Sequence, residues 1–247
     1  MITKLQVKYI QSLGQKKFRD DAGEYVAEGP KIVNELLADA PGTIIRLYAT
    51  AEWLASAGKL LTAITGEVVE VTDGELARLS FLQTAHQVLA VCRKPALQRV
   101  QAFSGLQLML DGIQDPGNMG TIIRTADWFG ISSIICSPDC ADAFAPKVVQ
   151  STMGSIIRVA VLYTPLEQWV QTNPGIALYA AALNGTSIHA MQPVKEGVIV
   201  IGNESKGIHP ALLAACQHRI TIPRIGQAES LNAAVAAGIT LSKLAAG

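Results

Sequence analysis

The chain has 247 residues, of which 49% are hydrophobic and only 16% charged, which is ample for one large or two modest domains and excludes disorder over most of the length. Its 20 Lys and Arg balance 20 Asp and Glu, so no overall field draws in nucleic acid or an anionic membrane, and such a partner must be held by a local patch. No run approaches the roughly 18 apolar residues of a membrane span and the start lacks the apolar stretch of a signal peptide, so a cytoplasmic protein is expected.

The four cysteines, Cys92, Cys136, Cys140 and Cys216, have no C-x-x-C spacing, which argues against a disulfide framework and a metal centre. Few charges together with abundant Ala and Gly point to small-residue surfaces that are buried, hence to an oligomer.

Residues 1–19 carry Lys4, Lys8, Lys16, Lys17 and Arg19 with no acid. This segment reads equally as a grip on RNA phosphates and as a solvated arm. From Gly23 the pattern alternates. EYVAEG is a strand, PKIVNELLAD a helix opened by Pro30, and TIIRLYAT a strand; then come a helix around AEWLASAGKLL, the strand EVVEV, a helical ELARLS and the strand QVLAVCRK. Lys31, at the start of the first of these helices, is a further candidate for RNA. Residues 96–104 mix polar and turn residues and are the expected linker between a small α/β domain, 1–95, and a second domain, 105–247.

In the second half LQLMLD is a strand, DPGN a turn, and NMGTIIRTADWFG a helix stopped by Gly130. Strands SSIICS, RVAVLY, IALYAAAL, VIVIG and RITIP alternate with helices PKVVQSTMG, PLEQWVQTN, one entered at Pro210 beside His209, and SLNAAVAAGITLSKLAA. Strands apolar on both faces and separated by helices make a parallel sheet covered on both sides. Ligands of such sheets sit beyond the carboxyl ends of the strands.

Three loops leave those ends and hold the unusual residues: DGIQDPGNMGTIIR from Asp111 to Arg124, GNESKG from Gly202 to Gly207, and PRIGQAESLN from Pro223 to Asn232. Each joins glycines, which admit a ligand to the backbone, with polar groups that an apolar core would not tolerate unpaired. Generic motifs fall away. No G-x-G-x-x-G is present; Ile208-His209 stands where a P-loop needs Lys-Ser/Thr; and no zinc or serine hydrolase signature occurs. The GXXG of Gly117 to Gly120 is a spacing expected by chance in a chain with 21 glycines.

Taken together, the three loops resemble the SpoU (TrmH-like) RNA ribose 2′-O-methyltransferases of the SPOUT superfamily. The first motif is matched by Asp115, Pro116, Asn118, Gly120, Arg124, Thr125 and Ala126, the second by Gly202, Glu204 and Gly207, the third by Ile222, Pro223, Ser230, Leu231 and Asn232. The match covers residues 104–247 well, and more loosely the amino-terminal part, which is similar to the small substrate-binding domain, itself like an RNA-binding ribosomal protein, that many members carry.

The resemblance implies a parallel-sheet domain with a deep carboxyl-terminal trefoil knot, an exception to the rule that chains do not thread loops. It implies S-adenosylmethionine bound by Gly202, Asn203, Ile222 and Leu231, with Leu183 as a further wall, and RNA as substrate, ribosomal rather than transfer RNA. It also implies a homodimer packed through the knots, and no metal. Arg124, Asn118, Glu204, Ser230 and Asn232 are the implied catalytic set. Arg124, a permanent cation, is suited to holding an RNA phosphate and the nascent alkoxide. Asn118 is a candidate cap for the helix carrying Arg124, Glu204 a partner for Arg124 or the RNA, and Ser230 and Asn232 caps of the last helix.

Two departures stand out: Ser205 where many relatives have Gly, and Arg224, a candidate phosphate contact, where Met is common. The competing readings are a non-catalytic RNA-binding or ribosome-associated knotted protein, against which the intact catalytic set argues, and a knotted base methyltransferase, against which the Arg of the first loop argues.

Overall fold

A computed structural model describes residues 1–95 and 105–245 of the chain; the expected linker, 96–104, lies outside them. The described residues form two compact units, one of 1–95 with 142–157 and one of 105–141 with 158–245.

The first unit opens with two helices, α1 (Lys4–Ser12) and α2 (Lys16–Ala22), so the basic segment is not an arm. Thr3 caps α1 in a reciprocal box with Gln6, satisfying two otherwise orphaned donors. Ile10 and Leu13 are fully buried beside Leu76, Leu79 and Leu89. There follow β1 (Glu24–Glu28), α3 (Pro30–Asp39), β2 (Ile44–Ala49), α4 (Ala51–Ala57), β3 (Glu67–Glu70), α5 (Asp73–Leu79) and β4 (Val88–Arg93). The sheet order is β1-β4-β2-β3, with β4 antiparallel to both neighbours and β2 parallel to β3.

The second unit begins with β5 (Leu106–Asp111), α6 (Pro116–Trp128) and β6 (Ser133–Cys136). The segment after β6, with α7 (Pro146–Thr152), packs instead with the first unit, its Phe144 ring 5.0 Å from that of Tyr25. Then come β7 (Ala160–Tyr163), α8 (Leu166–Thr172), β8 (Leu178–Ser187), β9 (Gly197–Gly202), α9 (Pro210–Ala215), β10 (His218–Thr221) and α10 (Ala233–Leu244). All six strands are parallel, in the order β10-β8-β9-β5-β6-β7. The central strands β5 and β9 are buried nearly throughout, which is why their sequences are apolar at consecutive positions.

At the β10 edge the chain crosses itself closely. The register jumps from Arg219 opposite Ala180 to Ile220 opposite Thr186. A Cβ at Gly185 would lie 2.5 Å from the Arg219 carbonyl, so only glycine lets the two backbones pass. The end of α10 is fastened to the approach to β9, with the Val194 N–H donating to the Leu244 carbonyl at 2.8 Å.

One expected RNA contact is overturned. Arg19 is only 2% exposed; its guanidinium donates to Asp142 at 2.6 Å and to the Leu13 carbonyl at 2.8 Å. It is the polar clasp of α2 onto the segment before α7. Lys4, Lys8, Lys16, Lys17 and Lys31 are exposed. Lys4 and Lys8 share a face of α1 by their four-residue spacing, while Lys16 pairs with Asp20 at 2.8 Å.

Candidate active site

The first loop leaves β5 through Gly112, whose φ of +69° suits a residue without a Cβ. Its N–H donates to Ser137 Oγ at 2.9 Å. Asp115, not Asn118, caps α6: its carboxylate accepts the Asn118 N–H at 2.8 Å, with Pro116 next as the first helical residue. That is the ordinary Asp-Pro entry to a helix, and it leaves the Asn118 amide for another task.

The second loop is a tight turn. Asn203 and Gly207 exchange backbone hydrogen bonds of 3.1 and 2.9 Å. Asn203 Oδ1 accepts from the N–H groups of Ser205 and Lys206, while its Nδ2 donates to the Gly112 carbonyl at 2.8 Å. The Asn203 side chain therefore shapes this loop and fastens it to the first. In the third loop, Arg224 donates to the Ala228 carbonyl at 3.1 Å, curling the exposed segment on itself. Asn232 caps α10, its Oδ1 accepting from the N–H groups of Ala234 and Val235. Ser230 is exposed ahead of that helix and is not its cap.

The three loops are joined by a chain of side-chain amides. Asn118 Nδ2 donates to Glu204 Oε1 at 2.5 Å, and Asn232 Nδ2 donates to Asn118 Oδ1 at 2.9 Å. Glu204 thus belongs to Asn118 rather than to Arg124. The Arg124 side chain is exposed, and no ion pair or side-chain hydrogen bond engages it among the described residues. On α6 it stands six residues from Asn118, about a third of a turn around the helix.

Beyond the carboxyl ends of β8, β9 and β10 lies a cleft of about 980 Å³, at the upper end of the range for small-molecule sites. Leu183, Gly202, Asn203, Ile222 and Leu231 all line it, as do Glu204, Ser230 and Arg224, whereas Asn118, Arg124 and Asn232 do not. Leu183 is 70% exposed, an apolar side chain on an open wall. Sequence reasoning missed Thr240 of α10 and the apolar back wall of Ile188, Ile201 and Ile220.

Behind the first loop sits Cys140. Its sulfur accepts the Ile113 N–H at 3.2 Å and lies 3.3 Å from Ser137 Oγ. Hydrogen bonding from the Cys136 thiol, then from Ser137 and the Ile113 and Gly112 backbone, outweighs burial and lowers its pKa to about 7.

Residues 105–242 match the profile of the SpoU rRNA Methylase family. The chain belongs to the SpoU rRNA methylase family. Residues 4–90 match the MRM3-like substrate binding domain. Among curated relatives, the chain is 32% identical over 242 residues to the 23S rRNA (guanosine(2553)-2′-O)-methyltransferase RlmP of Bacillus subtilis, covering 97% of this chain and 95% of the relative. Among solved structures, the AdoMet-bound rRNA methyltransferase of Sinorhizobium meliloti superposes with a TM-score of 0.86 at 30% identity, over 98% and 95% of the two chains. The AdoMet complex of the SpoU methyltransferase AviRb from Streptomyces viridochromogenes gives 0.84 at 26% identity, over 98% and 97%. The region matched over 105–242 is therefore of the SPOUT methyltransferase class, and S-adenosylmethionine is the cofactor of this SpoU family.

The residues present fit that cofactor. The isoleucine back wall suits the faces of a purine, while the rim, with Glu204, Arg219 and Ser230, suits a ribose and a zwitterionic tail.

Proposed function

We propose that this protein methylates a ribose 2′-hydroxyl of ribosomal RNA with S-adenosylmethionine as donor. What carries the reading is the Glu204–Asn118–Asn232 chain, which holds the three loops around a cofactor-sized cleft while leaving Arg124 unengaged. The named 2′-O-methyltransferase relative acts on 23S rRNA, and the exposed lysines of α1 and α2, Lys4, Lys8 and Lys17, supply a local phosphate contact that a net charge of zero does not.

When bound, the cofactor supplies a methyl carbon activated by a sulfonium charge. The protein's part is alignment of the ribose oxygen with that carbon and stabilisation of the alkoxide as its proton leaves. Arg124 cannot serve as a base at neutral pH; it holds the RNA phosphate and the developing negative oxygen. Asn118 and Asn232 keep the Glu204 loop in register with the cleft.

Arg124 works across a subunit boundary in this reading. Trp128, one helical turn beyond it, is 84% exposed, and Val235 of α10, which packs against α6, is 49% exposed. A second copy of the chain covers this apolar surface and brings Arg124 to the rim of a complete site.

Transfer of labelled methyl to ribosomal RNA from a strain lacking this protein, followed by alkaline digestion, tests the reaction: a 2′-O-methyl leaves an alkali-resistant dinucleotide. Arg124→Ala is expected to abolish transfer while cofactor affinity, by calorimetry, stays within about twofold. Retained turnover, or a label that alkaline digestion does not place on ribose, overturns the proposal. Light scattering at micromolar concentration is expected to give a dimer, and Trp128→Asp a monomer without transfer.

A further inference from the structure

Thr240 lies in the penultimate turn of α10 and is wholly buried. Hydroxyls inside helices ordinarily return to the carbonyl three or four residues back, and here those of Thr125, Thr152, Thr172 and Ser242 all do. The Thr240 hydroxyl does not; it has no hydrogen-bond partner among the described residues. Tyr48, Gln107 and Ser133 also bury a side-chain oxygen without a partner among the described residues, but of these four only Thr240 belongs to the wall of the cleft.

A buried hydroxyl without a partner is costly, and such a group inside a native protein calls for an explanation. The surroundings indicate what satisfies it. Ile188, Ile220, Ala233 and Ala236 share this part of the wall and have no polar side chain to offer a ligand. These side chains are largely buried against one another; a flat base that parts them has apolar contacts on its faces, and its edge then needs a hydrogen-bonding group. Threonine in a helix has two accessible χ1 rotamers because its hydroxyl can take either position, so the oxygen can turn to a ligand without moving the backbone.

We infer that Thr240 is a cofactor-binding residue whose hydroxyl hydrogen-bonds the adenine edge of S-adenosylmethionine at the inner end of the cleft. The inference rests on the cofactor assigned above and adds a polar side-chain contact from α10 to the apolar back wall of the site.

The test compares Thr240→Val, which keeps the shape and removes the hydroxyl, with Thr240→Ser, which keeps the hydroxyl. Without ligand, Thr240→Val is expected to melt at or above the wild-type temperature, since it removes an unsatisfied polar group. By calorimetry it is expected to bind S-adenosylhomocysteine and methylthioadenosine about 3- to 10-fold more weakly than wild type, and to show a smaller ligand-induced rise in melting temperature. Thr240→Ser is expected to stay within about twofold.

Equal affinities of Thr240→Val and wild type overturn the inference. So does weakened binding of S-adenosylhomocysteine with unchanged binding of methylthioadenosine, because the contact would then lie at the amino-acid end. Wild-type protein that binds neither ligand overturns the cofactor reading itself, and the inference with it, which separates the two failures.

Discussion

Asn118→Ala severs the link between the three loops without touching the entry to α6, because Asp115 holds the Asn118 backbone N–H and not its side chain. Two hydrogen bonds disappear, one to the Glu204 carboxylate and one from the Asn232 amide. A hydrogen bond to a charged group contributes about 1.5–3 kcal/mol and a neutral one about 0.5–1.5 kcal/mol. Asn118 and Glu204 are half-buried and Asn232 exposed, so water replaces much of each, and the low end of both ranges, about 2 kcal/mol together, is the appropriate figure.

If loop register is what the transition state needs, kcat/KM falls roughly 10- to 50-fold, while the melting temperature drops by no more than about 4–8 °C. Asn118→Asp should lose more, since it sets a second carboxylate against Glu204. The assay is methyl transfer from labelled cofactor to ribosomal RNA, with a double-mutant cycle against Glu204→Ala; a coupling energy of about 1–2 kcal/mol is expected for groups in direct contact. Wild-type kcat/KM in Asn118→Ala, or strict additivity with Glu204→Ala, would refute the claim that these amides hold the site together.

Other parts of the fold give equally concrete outcomes. Gly185→Ala puts a methyl 2.5 Å from the Arg219 carbonyl; chain crossing of this kind leaves nothing flexible to yield, so a loss of several kcal/mol should appear as insoluble protein or a sharply lowered melting temperature. Wild-type melting would show that the crossing has slack. Arg19→Ala leaves the half-buried Asp142 carboxylate without its cation, holding only the Phe144 N–H, and is expected to cost about 2–3 kcal/mol in the first unit, with Arg19→Met/Asp142→Leu recovering most of it; guanidinium unfolding followed by circular dichroism distinguishes the two. Cys140 has a folded pKa of about 7, below its ordinary value of 9.0, so its thiolate contribution to stability is complete above the unfolded pKa and is lost as pH falls through the folded one. The stability difference between wild type and Cys140→Ser should therefore widen from pH 7 to pH 9, and a difference constant across that interval would exclude a thiolate there.

Much of the second unit was legible in the sequence because each of its strands and helices carries its own periodicity, and the SpoU resemblance rests on residue types at fixed local spacings. The same locality explains the errors. Asn118 suits a cap by residue type, yet the Asp115-Pro116 pair beside it is the stronger helix-entry signal and takes that role. The lysine count of residues 1–19 says nothing of the two amino-terminal helices, although Thr3-x-x-Gln6 with Ile10 and Leu13 behind it is a legible helix start. Arg19 shows the limit of counting charges: its partner Asp142 is 123 residues away, and nothing local separates a clasped arginine from a solvated one.

The same distance argument explains why the active site has to be built as it is. Asn118 and Glu204 are 86 residues apart and Asn118 and Asn232 are 114 apart, so the contacts that join the three loops are non-local and depend on the sheet to bring the loops together. A loop left to itself would sample many positions at an entropic cost of about 1–2 kcal/mol per ordered residue. The parallel sheet removes most of that freedom by delivering β5 and β9 side by side, their carboxyl ends paired as Asp111 opposite Gly202. The close crossing at Gly185 then returns the chain so that α10 begins beside α6. Only the last few ångströms are left to side chains, and two amides and a carboxylate suffice for those. Arg124 stands outside this bracing, as the RNA-phosphate role proposed for it requires.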